Sequence, residues 1–381
     1  MCIRDSDISN RWLSAGGQQR AVREEREIVE SITRSIDATW IVITDGHIDE
    51  QAFETALSDA ITVSRISDAP SPVALSRPLA DLNVALLQDG LRLQVTGSPD
   101  KPIGILLVDG PEADVGVTQT RIEIDVAREG AADIIEYHVS RGDGDHYANS
   151  VLTMNIGDGA AVNHVRIQNR SLHHVQTSRT SISAGRDAVL RMAGFDLGGG
   201  LVRNDVDIDL SSPGADVTFD GLDLAGDGQH IDNHTRVDHR VGPATSSQEY
   251  RGILNGKCRC VWNGKAIVHK NADGTDAQQA NHNLLMYDNA ENDAKPELDI
   301  YAEDVKCAHG TTVGQLDEPA LFYLRSRGLD RQHAIRVLTH AFAADLVRRV
   351  PVNAAVEGIS DIVEARLGEL IQADDVAEML A

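Results

Sequence analysis

Alternation of apolar and polar residues with a period of two dominates the middle of the chain, from about residue 91 to residue 310. Segments such as LRLQVTG, RIEIDVA, SVLTMNI and DVDIDLS alternate in this way, and turns that carry Gly and Asp separate them. Side chains on a β-strand point alternately to opposite sides, so each segment is typical of a strand with one buried face. The pattern predicts a mainly β core.

A repeat runs through the same region. An alanine follows a turn at intervals of 29, 28, 27 and 29 residues, at Ala131, Ala160, Ala188, Ala215 and Ala244. Strands that recur at a near-constant interval, with no helical segments between them, predict a β-solenoid with one coil per repeat. The alternative is a β-sandwich, whose strands also recur but with less even spacing. We favour the solenoid, and the pattern leaves its handedness open.

Helical patterns flank this core. An amphipathic helix is predicted near the N-terminus, over QQRAVREEREIVESITRSI. Two helices are predicted after the core, with Asp317 and Asp330 as their N-caps and Gly328 ending the first of them, and another from Ser360 to Ile371. These C-terminal helices either cap the end of the solenoid or offer an apolar face to a partner. The predicted organisation is an N-terminal helical segment (1–38), a mixed α/β lead-in (39–90), a β-helix core (91–310) and a C-terminal helical domain (311–381).

Composition and charge narrow the class of protein. The chain of 381 residues carries 59 acidic and 35 basic residues, a formal net charge of −24. Such a surface repels phosphate backbones and anionic headgroups, so we expect neither nucleic acid nor a membrane as partner. No apolar run approaches the length of a bilayer span and the first residues lack a signal-peptide pattern, so we expect a cytoplasmic protein with reduced thiols. Aromatic residues make up only 4 %, which suits a solenoid filled by stacked aliphatic side chains.

The usual enzyme signatures are absent. The segment GILNGKC is one residue short of a phosphate-binding loop, and neither a Gly-x-Ser-x-Gly elbow nor a His-Glu-x-x-His motif occurs. Asp205, Asp207 and Asp209 lie on one face of a predicted strand and are most simply its solvated side. A carbohydrate-active β-helix enzyme is the alternative from a different functional class, and a groove of convergent carboxylates would favour it.

Two short pairs of residues offer metal-binding chemistry. Cys258 with Cys260, and Cys307 with His309, are each spaced i, i+2, which places both side chains on one face of a strand. Together they would form the Cys3His set of a tetrahedral zinc site. Zinc motifs usually have two to four intervening residues, however, so structural zinc is the less favoured interpretation. The histidines of QHIDNHTRVDH are interpreted as surface or ladder histidines on neighbouring strands rather than as metal ligands.

Several motifs near the end of the core resemble the SufB/SufD family of iron–sulfur cluster assembly proteins. They are TDAQQ, KPELDIYAEDVKCAHG, VGQLDE and LFYLRSRG, and the resemblance is strong from about Ala244 to Val347 and looser over the repeats. The segment DVKCAHG has the form found on the SufD side of the family, whereas SufB-like chains carry a His-Glu pair near this point. The resemblance implies a right-handed parallel β-helix between helical ends.

The resemblance also implies a function. It implies a non-catalytic scaffold that pairs with SufB, while the SufC ATPase binds the C-terminal helices and hydrolyses ATP; a SufB-like homodimer is the alternative within the family. The functional histidine of the SufD side maps onto His309, with Cys307 beside it, and these would help to hold a nascent cluster or its iron. Whether a reduced flavin binds the complex is left open, and Cys258 and Cys260 depart from the family pattern. The apolar residues expected to bind SufC are Phe322, Tyr323, Ile335, Leu338 and Phe342.

Overall fold

Two long β-sheets dominate the structure. The computed structural model describes residues 22–49, 58–66, 78–87, 89–110 and 115–372. In this part of the chain one sheet has 10 strands and the other has 9. Consecutive strands of the repeat region lie in opposite sheets, and each pairs in parallel with the strand two positions along the sequence. The fold is therefore a parallel β-solenoid, which confirms the mainly β prediction.

The strands follow one another between the two sheets, which we call sheet A and sheet B. Sheet A contains β1 (Thr39–Thr44), β2 (His47–Ile48), β5 (Ile103–Asp109), β7 (Ala131–Ser140), β9 (Ala161–Asn169), β11 (Val189–Asp196), β13 (Asp216–Ala225), β15 (Thr245–Leu254), β17 (Thr275–Leu285) and β19 (Val305–Gly314). Sheet B contains β3 (Ile61–Arg65), β4 (Gly90–Val95), β6 (Val115–Val126), β8 (Asp145–Ile156), β10 (His174–Ala184), β12 (Leu201–Leu210), β14 (His230–His239), β16 (Arg259–Val268) and β18 (Glu291–Ile300).

The predicted alanine repeat is confirmed at four positions and is wrong at the fifth. The register of sheet A aligns a column of alanines, each at most 4 % exposed, where the chain turns into a strand: Ala160, Ala188, Ala215 and Ala244. Ala131 pairs with Ala161 instead, so it lies one residue out of register and Gly130 is the equivalent residue. An alanine one residue further along still follows the turn, and spacing alone could not distinguish the two.

Aliphatic side chains fill most of the solenoid interior, and an aromatic group crosses it in the later coils. The ring centroids of Phe219 and Tyr250 are 5.4 Å apart, and those of Tyr250 and Trp262 are 5.7 Å apart. A Cβ atom added at Gly264 would lie 2.2 Å from the Trp262 ring, so glycine makes room for the indole. These rings separate the middle of the interior from the last coil.

Ionisable side chains also lie inside the solenoid, in the middle coils. The Glu136 carboxylate is 2.6 Å from Nε2 of His138 and 3.2 Å from Nε2 of His164, and Arg166 is ion-paired with Asp196 at 3.0 Å. Burial alone would raise the pKa of Glu136, but His138 and His164 hold this pKa well below its usual range. Imidazole neighbours therefore stabilise the buried carboxylate of Glu136, and Arg166 and Asp196 form a buried ion pair.

Helices cover the outer faces of the sheets. They are α1 (Val22–Ser35), α2 (Pro78–Leu86), α3 (Glu318–Ser326), α4 (Arg331–Val347) and α5 (Val356–Gln372), with a short 3-10 turn at Asn353–Ala355. Apolar side chains of α1, α4 and α5 pack against the outer face of sheet A, where Ile36 and Leu346 join a cluster that includes Phe195. The C-terminal helices thus lie along the side of the solenoid rather than capping its end.

The predicted helix ends are confirmed in part. The Asp330 carboxylate accepts a hydrogen bond from the His333 N–H at 2.8 Å, and Gly328 has a φ of +96° after the end of α3. Asp317 precedes α3 but makes no capping hydrogen bond through its side chain. The last helix begins at Val356, before the predicted start at Ser360.

The solenoid sheets extend beyond the predicted limits of the core. Strand β1 pairs in parallel with β5, so the lead-in segment contributes to sheet A, and β19 continues to Gly314. None of the helices in the described ranges is both long enough and apolar enough to cross a bilayer.

Candidate functional site

The last coil, β18 and β19, forms an open end of the solenoid. These two strands terminate sheets B and A, and in the described ranges no further strand pairs with their outer edges. Neither strand contains a fully buried residue. An uncovered strand edge presents backbone N–H and C=O groups that another chain can pair with. We refer to this coil as the open end.

Cys307 and His309 both face the solenoid interior at the open end. They pair in register with Ala277 and Gln279 of β17, which are buried inside the solenoid. Residues paired across a ladder point to the same side of the sheet. Because no coil follows β19 in the part of the chain that the structure describes, His309 is exposed and Cys307 is half-buried. The structure therefore brings the two predicted metal ligands to one accessible place.

The two side chains differ in their readiness to bind a metal ion. Burial raises the pKa of the Cys307 thiol above its ordinary value, and the carboxylate of Asp276 contributes in the same direction. The thiol therefore has to lose a proton before it can bind. A neutral imidazole binds iron without that step. His309 is the more available ligand of the pair.

The last coil also carries exposed apolar side chains. Three large ones are exposed on the last coil, by 41 %, 59 % and 52 %: Ile300, Tyr301 and Val313. An exposed apolar group next to unpaired strand edges is typical of a surface that another protein covers. The open end thus combines metal-ligand chemistry with the character of an interface.

Sequence reasoning missed the amides directly behind the open end. Gln279 is 4 % exposed, and in the described part of the chain neither atom of its amide has a hydrogen-bond partner. Gln248, its register partner on β15, accepts a hydrogen bond from the Thr235 hydroxyl at 2.6 Å. The alternation within TDAQQ could have revealed this, because it places Gln279 on the same face as the buried Ala277.

The other cysteines do not join the site. Cys258 and Cys260 are buried in a small apolar cluster, and burial raises the pKa of Cys258 to about 12. The Cys258 thiol donates a weak hydrogen bond to the Ala225 carbonyl oxygen at 3.5 Å. Among the described residues, no group of three or more His, Cys, Asp or Glu side chains could hold a metal ion, so these cysteines form no zinc site with Cys307 and His309.

The histidines of QHIDNHTRVDH lie on β14 and do not converge. His230 and His234 are partly exposed, and His234 lies 2.9 Å from the Asp232 carboxylate. His239 is buried inside, with its Nε2 2.8 Å from the Ser246 hydroxyl oxygen. Because His234 and His239 have different neighbours and lie on opposite faces of β14, these histidines fit the interpretation as ladder histidines.

The aspartates of DVDIDL form ion pairs with arginines. Asp205 pairs with Arg203 at 2.9 Å, Asp209 pairs with Arg240 at 2.6 Å, and Asp207 pairs with an arginine of β10. A carboxylate already paired with a guanidinium is poorly suited to general acid or base catalysis. This arrangement gives no support to the carbohydrate-active alternative.

The residues predicted to bind an ATPase partner differ in their exposure. Phe322 and Tyr323 on α3 are 74 % and 57 % exposed. Ile335 is only 5 % exposed and packs with Leu321 in the protein's own core. The remaining two, Leu338 and Phe342, are partly buried against the same helices and sheet A. Only the α3 pair is freely available to a partner.

Comparison with known proteins gives one consistent family. A family model described as "SUF system FeS cluster assembly, SufBD core domain" matches residues 108–342, which is more than half of the chain. Iron-sulfur cluster assembly protein SufD of Escherichia coli (strain K12) is 30 % identical over 375 residues, covering 95 % of this chain and 85 % of that protein. A SufBD family protein of Mycobacterium leprae is 32 % identical over 274 residues, covering 70 % of this chain and 68 % of that protein.

Proposed function

This chain belongs to the SufBD family of SUF-system iron–sulfur cluster assembly proteins, and from that membership we propose that it serves as the SufD-type scaffold subunit of a SufBCD complex. In this proposal it supports cluster assembly at an interface with SufB, and the SufC ATPase binds its C-terminal helices. The scaffold itself catalyses no reaction and works in the cytoplasm. The reduced flavin considered for the whole complex has no assigned residues in this chain.

The observation that carries the proposal is the open end, where Cys307 and His309 face an uncovered interior. Iron–sulfur clusters usually have four protein ligands, so two side chains from one subunit would leave the cargo incompletely held. A second solenoid that pairs with β18 and β19 would cover the exposed apolar side chains. It would also bring its own ligands opposite His309. A site shared with SufB therefore suits this chain better than a site of its own.

The exposed pair on α3 supports the proposal that SufC binds the C-terminal helices. Phe322 and Tyr323 are adjacent in the sequence, and large exposed aromatic side chains are frequent anchors of protein interfaces. We assign the SufC contact to this pair, with Leu338 at its edge. The burial of Ile335 excludes it from direct contact in the folded chain.

The proposal is tested by His309→Ala in the complex co-expressed with SufB and SufC. Iron and acid-labile sulfide per purified complex should fall several-fold, because a ligand of the cargo has been removed. The complex itself should persist, since His309 is exposed and the stacked core does not depend on it. Cys307→Ala should have the smaller effect, because its thiol has first to lose a proton.

The matched control is His282→Ala. His282 lies on β17, also near the end of the solenoid, but on the outer face, where its Nδ1 is 2.8 Å from the Thr312 hydroxyl oxygen. This variant should retain the iron and sulfide content of the wild type. If His309→Ala also retained it, the role of His309 in holding the cargo would be wrong. If a tagged copy of this chain were purified from the co-expression without any SufB, the SufB-like homodimer would be favoured instead.

A further inference from the structure

A histidine that binds a metal ion through one ring nitrogen carries a proton on the other. That N–H normally donates to a carboxylate, a carbonyl oxygen or water, which fixes the tautomer and the orientation of the ring. Such an acceptor would have to lie beside His309. In the ladder of sheet A, the residue paired with His309 is Gln279.

The amide group of Gln279 is buried but makes no hydrogen bond. It is 4 % exposed, yet both the nitrogen and the oxygen of its amide lack a hydrogen-bond partner within the described ranges. Buried polar groups without partners are rare in native proteins and call for an explanation. Because Gln279 and His309 share the inward face, the imidazole is the nearest ladder neighbour on the open side of this amide.

The preceding coil offers the amide of Gln279 a hydrogen-bond acceptor. Gln248 is the register partner on the closed side, and its amide oxygen accepts a hydrogen bond from the Thr235 hydroxyl at 2.6 Å. A carbonyl oxygen has two lone pairs, so the same atom can also accept from the NH₂ group of Gln279. A hydrogen bond from the NH₂ group of Gln279 to this oxygen, which is not formed in the structure, would turn the amide oxygen of Gln279 toward His309.

The neighbouring positions of the open end lack this arrangement. Cys307 has Ala277 as its register partner, which offers no polar side chain. Thr311 has Asn281, but the NH₂ group of Asn281 already donates to the Tyr250 carbonyl oxygen at 3.4 Å. The unsatisfied amide is thus placed at the one position of β17 that pairs with the histidine.

We propose that Gln279 is a positioning residue for His309: its amide oxygen accepts the ring N–H that faces the interior, so that the other ring nitrogen keeps its lone pair free for iron. This inference rests on the proposed function, because it takes His309 as a ligand of the cargo. It adds a residue that neither touches the metal nor lies on the last coil. Gln279 acts by selecting one tautomer of the imidazole.

The first test reads the tautomer directly. Nitrogen NMR of the full chain with labelled histidine, with the His309 signal assigned from the His309→Ala variant, should show a single tautomer in the wild type. Gln279→Met keeps the length of the side chain but removes the acceptor. The His309 signals should then move to the average of the two tautomers that is expected of an exposed imidazole. Gln279→Glu keeps an acceptor oxygen and should restore one tautomer.

Gln278→Met is the matched control. Gln278 is the same residue type one position away, exposed on the opposite face, where its NH₂ group donates to the Asp276 carboxylate at 2.7 Å. This variant should leave the His309 tautomer unchanged. A merely structural contribution of Gln279 would lower thermal stability without changing the tautomer, and that result would overturn the proposal. An averaged tautomer in the wild type would overturn it equally.

The second test measures binding of Co²⁺ to the full chain without oxygen or partner subunits. Loss of the group that hydrogen-bonds to a metal-binding histidine typically weakens metal binding by roughly 10- to 100-fold, so Gln279→Met should weaken it by about 10-fold while Gln278→Met does not. His309→Ala should remove the part of the Co²⁺ affinity that this histidine provides. If His309→Ala weakened binding and Gln279→Met did not, His309 would remain a ligand and the role of Gln279 would be wrong. If His309→Ala left Co²⁺ binding unchanged, His309 would not be a metal ligand of this chain and the role proposed for Gln279 would be wrong, whereas the proposed function is tested separately by the iron and sulfide content of the complex.

Discussion

Replacement of Arg251 by alanine should release the C-terminal helices from the side of the solenoid. Arg251 lies on the outer face of β15 and donates to the Phe342 carbonyl oxygen at 2.8 Å and to the Asp345 carboxylate at 2.6 Å, both on α4. Its guanidinium also lies 5.2 Å from the centroid of the Phe342 ring and donates to Glu249 at 2.8 Å on its own strand. One side chain thus joins sheet A to α4 by three different contacts.

The size of the free-energy loss in Arg251→Ala depends on how far Arg251 and Asp345 are exposed to solvent. The side chain of Arg251 is 15 % exposed and that of Asp345 is 45 % exposed, so solvent screens the ion pair in part. A hydrogen bond to a charged group contributes about 1.5–3 kcal/mol when well buried. Allowing for the screening, we expect a loss of about 2 kcal/mol, which corresponds to an increase of roughly 30-fold in the opening of the helices.

Hydrogen exchange followed by mass spectrometry measures this opening. Peptides from α4 and α5 should lose protection in Arg251→Ala, whereas peptides from β7 and β9 should not, because each coil of a solenoid contacts mainly its neighbours. Arg348→Ala is the control, since Arg348 is 71 % exposed and lies 3.5 Å from the same Asp345 carboxylate. Equal changes in the two variants, or a uniform loss over the whole solenoid, would refute the reasoning.

Two further predictions concern acid stability and the partner surface. Burial lowers the pKa of His146 to about 4, so the unfolded chain binds a proton more readily than the folded chain, and the free energy of unfolding should decrease as the pH falls from 6.5 toward 4. Thermal unfolding should show that His146→Gln flattens this dependence by up to about 1.4 kcal/mol per pH unit, whereas the exposed His173→Gln does not. Phe322→Asp should reduce capture of SufC at least several-fold without lowering the melting temperature, because Phe322 is 74 % exposed. Leu172→Asp, at an apolar residue 50 % exposed elsewhere on the surface, should leave capture unchanged, and equal loss in both would contradict the assignment.

The attachment of the helices matters for the proposed function. In sheet A, β15, which carries Arg251, pairs with β17, and β17 pairs with β19. The backbone ladder therefore leads from the strand that holds α4 to the strand that carries His309. A helix bound by an ATPase would be connected to the open end through two strand pairings.

Local patterns in the sequence determined the architecture and some of the ends of its elements. Alternation with period two identifies strands, because each residue turns its side chain through the sheet independently of distant parts of the chain. The repeat of turns predicted the solenoid, and Asp330 was identified as a cap because a cap needs only the next three residues. The motif DVKCAHG likewise located the candidate ligands without any knowledge of the fold.

Tertiary structure alone decided which residues meet across coils. A turn can shift by one residue without disturbing the alternation of the strand that follows, so only the ladder register shows that Gly130 rather than Ala131 belongs to the repeat column. The faces of the helices were undecided for a similar reason, since Ile335 and Phe322 are both apolar and only packing buries one of them. The alternation of TDAQQ indicates only that Gln279 is buried. Its ladder neighbour His309 lies on the next coil, and contacts between coils depend on the stacking of the whole solenoid rather than on any local pattern.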